Sequence, residues 1–316
     1  MGMKKYSIRI AVCIAVAGIH AASVKTEEPT KEKLGELLFF DKILSKDRTI
    51  SCGSCHKPSA AFADTLPVSF GVDGKKGIRN TPTAMNLLLA NSFFWDGRAA
   101  TLEEQALKPI ANPDEMNLPI TEAVRRLQNS EQYKTLFEKV FNSEPTAQTL
   151  AQAIAAFERT LETSNSPFDN WKFNDDSTAV SAAAKRGFII FNEKGKCVKC
   201  HFGSDFTATE FRNIGLFDGK KLNDSGRYNV THKADDIGKF KTSSLRNIAV
   251  TAPYMHNGMF KTLDEVIDFY NDTKKVVPGA VNTDALLVKP LGLNKREKQD
   301  LKAFMLALTD KRFKRK

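Results

Sequence analysis

Apolar residues in this chain cluster in four short blocks that form two matching pairs. Gly35-Glu-Leu-Leu-Phe39 and Gly187-Phe-Ile-Ile-Phe191 share a glycine followed by a large apolar run, and each predicts a short helix. Further on, Ala153-Ile-Ala-Ala-Phe-Glu-Arg-Thr-Leu161 lines up with Asp300-Leu-Lys-Ala-Phe-Met-Leu-Ala-Leu308 at an offset of 147 residues. Ile154, Phe157 and Leu161, and Leu301, Phe304 and Leu308, recur at helical spacing, so each segment predicts a closing amphipathic helix with one buried face. Between the blocks the period is lost. Pro82, Pro109, Pro113 and Pro119, among many Gly, Asn and Asp, predict loops and short helices, and few segments alternate as strands do. A mainly α chain built from a duplicated unit is the reading. The polar stretch Thr163-Ser-Asn-Ser-Pro-Phe-Asp-Asn170, extending to Asp175-Asp176-Ser177, reads as the linker, which places the halves at 24–170 and 171–316.

Composition agrees with a globular protein: 41% hydrophobic and 27% charged over 316 residues. Residues 1–23 read as a secretory signal peptide. Lys4, Lys5 and Arg9 precede an apolar run from Ile10 to Ile19, and the small residues Ala21-Ala22-Ser23 follow. The run is shorter than the roughly 20 residues of a membrane-spanning helix, so a soluble periplasmic protein without stable membrane insertion is expected. Cys13 lies inside the run, but Val12 before it is a poor match to a lipoprotein cleavage site. The formal charge of +10 falls to +7 without the three basic residues of the leader, and part of the excess sits in the tail Lys311-Arg-Phe-Lys-Arg-Lys316. Such a tail attracts acidic partners or, more commonly, is a solvated end, and nothing else in the chain suggests nucleic acid binding.

Four of the five cysteines stand in two motifs 145 residues apart, Cys52-Gly-Ser-Cys55-His56 and Cys197-Val-Lys-Cys200-His201. Two thiols one turn apart can add to the two vinyl groups of one porphyrin while the adjacent imidazole ligates its iron, so each motif reads as a covalent haem c attachment. A zinc site built from the same four thiolates needs no particular residue after the second cysteine, whereas histidine follows both pairs here. No cysteine remains for a structural disulfide. An electron carrier fills both axial positions of its iron, yet no histidine lies between His56 and His201, and His232 and His256 fall in the second half. Met85 and Met116 could ligate the first iron, although a Met beside Leu87, Leu88 and Leu89 is more often core.

Several further segments carry a resemblance: Arg79-Asn-Thr-Pro-Thr83, Phe94-Trp-Asp-Gly-Arg-Ala99, Glu104-Gln105, Pro109, Glu115-Met116 and Thr251-Ala-Pro-Tyr-Met-His-Asn-Gly258. From about Lys33 to Leu308 the chain resembles the bacterial dihaem cytochrome c peroxidase and MauG family. The resemblance implies two tandem class I cytochrome c-like domains, with hydrogen peroxide as substrate at the first haem and electron transfer at the second. It implies that Glu115 is the general acid/base and Gln105 orients peroxide on the open face of the first haem, beside Pro109, with Trp95 as relay between the haems. Asn80, Thr251 and Pro253 match positions that hold calcium, the last two through carbonyls, which suits a hard cation. The implied partners are a small c-type cytochrome or cupredoxin as electron donor, or a protein substrate, and the family admits a homodimer.

Two positions depart from the peroxidase pattern. Val72 stands in the loop Ser69-Phe-Gly-Val-Asp-Gly74, where peroxidases that need reductive activation keep a displaceable histidine, so the first haem is expected to be open. Tyr270 stands where the peroxidases have a methionine, and the resemblance then implies MauG-like phenolate ligation of the second iron. Met255 or Met259 would be the ligand if Tyr270 only packs. Two readings share this chemistry, a peroxide reductase and a MauG-like oxidase of Trp or Tyr residues in a partner protein. A pure electron-transfer dihaem cytochrome is the alternative of another class.

Overall fold

The computed structural model describes residues 1–2 and 28–313. Most of the expected leader and residues 314–316 of the basic tail therefore lie outside the described residues.

Each predicted helix pair is present. The helix Lys31–Phe40 is capped by Thr30 and packs across the closing helix Ala147–Arg159, and Ala182–Asn192, capped by Ser181, packs in the same way across Lys295–Ala307. Both crossings turn on a glycine. A Cβ on Gly35 would strike the Ala153 carbonyl and Phe157, and one on Gly187 would strike the Asp300 carbonyl and Phe304. Equivalent rings lock each crossing edge-to-face, Phe39 on Phe157 at 5.2 Å and Phe191 on Phe304 at 5.1 Å between centroids. Burying each of these rings stabilises the fold by about 1.5–3 kcal/mol. Leu161 and Leu308 lie just past the closing helices and are buried all the same.

The two large hydrophobic cores among the described residues follow from the two pairs. The first gathers residues from Leu34 to Leu161, and the second residues from Phe168 to Leu308. The boundary expected near residue 170 falls inside a helix, Pro167–Phe173. Ser166 and Asp169 close a capping box at its start, Phe168 is part of the second core and Trp171 packs on Phe188. Core membership thus changes between Leu161 and Phe168. Strand structure among the described residues is one two-residue antiparallel pair, Phe211–Arg212 with Phe240–Lys241.

Buried polar side chains join the halves. Asn86 and Asn247, both at positive φ, each donate to the Thr163 hydroxyl, at 3.1 and 2.7 Å, and their backbone N–H groups donate to the equivalent carbonyls of Leu161 and Leu308. Arg79 spans the same seam, donating to Asp96 of its own half at 2.5 Å and to Asp224 of the other at 2.6 and 2.8 Å.

Candidate haem sites and the seam between them

Each Cys-x-x-Cys-His motif forms a single turn, helical at Cys52–Cys55 and tighter at Cys197–Lys199, which brings its two thiols to one side. His56 Nδ1 lies 2.9 Å from the Phe62 carbonyl and His201 Nδ1 lies 2.9 Å from that of Phe206. A carbonyl only accepts, so Nδ1 carries the proton in both rings and Nε2 keeps the lone pair that a metal takes. Burial holds both imidazoles below the usual histidine value, which favours the neutral form that ligates. Phe62 and Phe206 both adopt positive φ to present those carbonyls.

A cavity of about 650 Å³ opens above the first motif, walled on one side by Cys52, Cys55 and His56 and elsewhere by Gln105, Pro109 and Glu115. That volume suits a bound cofactor. Four of the residues singled out in the sequence, Trp95, Gln105, Pro109 and Glu115, therefore meet at one void. Burial pushes the Glu115 carboxyl above its ordinary value, opposed by a hydrogen bond from Asn112 at 2.8 Å. Val72 is buried beside the cavity, and its N–H donates to the Glu115 carbonyl at 2.8 Å, fixing the backbone that carries the acid. Met85 and Met116 line the same cavity as part of the first core.

The middle segments that lacked a period in sequence repeat at an offset of 161. Bridges Phe93 to Ala99 and Tyr254 to Phe260 enclose the same turn, with Phe94 and Met255, and Gly97 and Gly258, at matching positive φ. Thr101 and Thr262 then cap the helices Leu102–Ala111 and Leu263–Asn271, where Glu104 and Glu265 fold back onto the N–H groups of Ala100 and Lys261. In this register Pro109 is the counterpart of Tyr270. The first half presents a ring with no donor or ligand atom where the second presents a phenol. Tyr270 is partly buried, and desolvation raises the pKa of its phenol.

The same register makes Trp95 the counterpart of His256 and Asn80 that of Lys241. The Asn80 N–H donates to the His256 carbonyl at 2.7 Å and the Lys241 N–H to the Trp95 carbonyl at 2.8 Å, a pseudo-twofold pair of bonds across the seam. Trp95 Nε1 donates to the Asn80 carbonyl at 2.8 Å, and its ring meets His256 edge-on with centroids 6.4 Å apart. His256 stacks on Phe240 at 3.7 Å and 12°, and burial brings its pKa down to about 4. The Asn80 amide nitrogen donates to the Leu66 and Pro67 carbonyls, and its backbone bond to His256 ties it to the segment holding Thr251 and Pro253.

Sequence reading missed two groups on the cavity wall. Glu158 is buried, its Oε2 has no hydrogen-bond partner, and burial pushes its carboxyl up to about 8. Its signal was present: it falls four residues after Ile154 on the apolar stripe, at the place that Met305 fills in the second closing helix. Lys241, from the second half, is the other. It left no signal, because a single lysine between Phe240 and Thr242 resembles any edge residue.

A duplicated helical frame, with two metal-ready histidines and orphaned polar atoms around a cofactor-sized void, fits a protein that carries two haems. Known proteins agree. A family model described as di-haem cytochrome c peroxidase matches residues 29–177. The methylamine utilization protein MauG of Methylorubrum extorquens is 39% identical over 286 residues, covering 89% of this chain and 78% of its own. The cytochrome c551 peroxidase of Nitrosomonas europaea is 37% identical over 273 residues, covering 83% and 81%. A crystal structure of a MauG-like protein associated with microbial copper homeostasis superposes with a TM-score of 0.80 at 33% identity, covering 89% of each chain. The chain belongs to the dihaem cytochrome c peroxidase and MauG family, and it is a dihaem oxidoreductase that acts on hydrogen peroxide.

Proposed function

We propose that the chain is exported to the periplasm, where it works as two cytochrome c-like domains, each holding its haem through Cys-x-x-Cys thioethers, with peroxide handled in the first half alone. The observation that carries this reading is the convergence of Gln105, Pro109, Glu115 and Trp95 on the cavity above His56. Bound there, a haem iron supplies the redox centre at which the O–O bond of hydrogen peroxide is cleaved. Cys52 and Cys55 would tether the porphyrin and His56 Nε2 would ligate its iron. Glu115, partly desolvated, takes the proton from the inner peroxide oxygen and returns it to the outer one. Gln105 orients the peroxide through its amide, and Pro109 keeps the approach free of a competing ligand.

Complete reduction of hydrogen peroxide to two waters takes two electrons and two protons. Trp95, with its indole N–H held by the Asn80 carbonyl, is the relay for electrons from the second half. There Cys197 and Cys200 would tether the other haem, and His201 and Tyr270 would ligate its iron. Asn80, Thr251 and Pro253 supply neutral oxygens suited to calcium at the seam. The donor is a small c-type cytochrome or cupredoxin. Tyr270 and Val72 favour a second reading, in which a Trp or Tyr residue of a partner protein gives up the electrons.

Fast peroxide-dependent oxidation of reduced cytochrome c supports the first reading. A near-infrared band on adding peroxide to the diferric protein, with slow cytochrome c turnover, supports the second. Glu115→Gln is expected to slow the reaction with peroxide about 10²–10⁴-fold, and an unchanged rate removes it as acid/base. Tyr270→Met is expected to alter the spectrum of the second haem, and an unaltered spectrum excludes the phenolate.

A further inference from the structure

The cavity wall carries an ammonium and a hydroxyl that the peroxide chemistry leaves unused. Lys241 reaches from the second half into the first-half cavity, donates from Nζ to the Ser92 carbonyl at 2.8 Å, and sits 5.6 Å from the Phe93 ring centroid. Desolvation brings its ammonium down to about 8, with no carboxylate acting against it. Its surroundings explain why. The other cations of this wall differ: Arg79 is bound by Asp96 and Asp224, Arg98 by Asp96, and Lys76 is exposed at the rim. Beside Lys241, the buried Ser92 hydroxyl has no hydrogen-bond partner, so an ammonium and an orphaned hydroxyl occupy one patch of an otherwise largely apolar void. An ammonium with one of its three donors on a carbonyl, beside a hydroxyl with no partner, fits a carboxylate.

We infer that Lys241 and Ser92 form a carboxylate-binding pair that takes a propionate of the tetrapyrrole in the first-half cavity, so that the second half completes the first-half site. This rests on the reading that the cavity holds a haem. The polarity of the wall agrees with it. A haem carries its vinyl groups and its propionates on opposite sides, and here Cys52 and Cys55 form one part of the wall while Lys241 and Ser92 enter from the seam. The pseudo-twofold register strengthens the case. In this register Lys241 is the counterpart of Asn80 and Ser92 that of Pro253, so an ammonium and a hydroxyl stand on one side of the axis where an amide and a proline ring stand on the other.

Lys241→Met, Lys241→Arg and Ser92→Ala, each made in the full chain, test the pair. Two haems per chain, counted by pyridine haemochrome, establish the underlying reading independently of any effect of these variants. Given that count, Lys241→Met is expected to shift the ferric/ferrous balance of the first-half haem about tenfold toward ferric, about 59 mV for one electron. Lys241→Arg should hold the wild-type potential. Infrared propionate bands should shift in Lys241→Met and Ser92→Ala. A Lys241→Met protein with two haems, wild-type potential and unmoved propionate bands overturns the pair. Should Lys241→Met lose its first haem, Lys241→Arg decides: retained haem and potential support the pair, and equal loss overturns it.

Discussion

Replacing Glu158 by glutamine should stabilise this protein, and by an amount that depends on pH. The carboxyl is buried, Oε2 is unpartnered, and Arg159 next to it already grips Glu103 with two hydrogen bonds at 2.7 and 3.0 Å. Burial raises the acid from its ordinary 4.5 to about 8. A group whose folded pKa lies above its unfolded value favours folding fully below the unfolded value, and that contribution is lost as pH rises through the folded one. Each pH unit across this window is worth about 1.36 kcal/mol, so the loss is under about 1 kcal/mol at pH 5, about 3 at pH 7 and about 4 at pH 8. Glutamine keeps the shape and never ionises. Urea unfolding of the haem-loaded Glu158→Gln protein at pH 5, 7 and 8 should therefore show a gain that grows with pH and nearly vanishes at 5. A gain of equal size at pH 5 and 8, or none at pH 8, refutes the reasoning, because the carboxyl would then be ionised in the fold or stabilised by a partner.

Gly187→Ala should cost at least about 3 kcal/mol in the same assay, because its Cβ would meet the Asp300 backbone and force the two helices of the second half apart. Arg246→Met should cost about 3–5 kcal/mol, since it leaves Asp169 buried without its cation. Adding Asp169→Asn should recover most of that loss, and no recovery would assign the cost to the rings of Phe168 and Phe206 beneath the guanidinium.

The four helices of the crossings and the two Cys-x-x-Cys-His turns were legible because each depends on local pattern: apolar residues at helical spacing, or thiols one turn apart. The linker misled because Ser164, Asn165, Ser166 and Pro167 have the composition of a loop. Ser166, Pro167 and Asp169 are also a helix start, with Pro at the first position and the acid returning to the cap. The 161-residue repeat stayed hidden because its parts are turns held by positive φ and long-range backbone bonds, which constrain few side chains. Glu115, Gln105 and Trp95 came from resemblance, and no local feature marks them. Glu158 was readable as a charge on an apolar stripe, and it passed as an ordinary member of an amphipathic helix.

The duplication itself suggests how one frame runs two different jobs. The backbones repeat closely enough that matching carbonyls accept from matching amides across the seam, so the halves differ by side chain at fixed places. On the matched helices Leu102–Ala111 and Leu263–Asn271 a proline stands against an ionisable phenol, Pro109 against Tyr270. On the closing helix a carboxylic acid faces a thioether, Glu158 against Met305, and at the seam Asn80 faces Lys241 and Trp95 faces His256. Each exchange pushes in one direction. The first half has a ring without a ligand atom, a buried acid and an oxidisable indole, while the second has a phenol and sends its ammonium across to its neighbour. Swapping a single pair should therefore erase part of the asymmetry without disturbing the frame, which is why the phenol and the ammonium are the two positions whose exchange reads most directly on the potentials of the two haems.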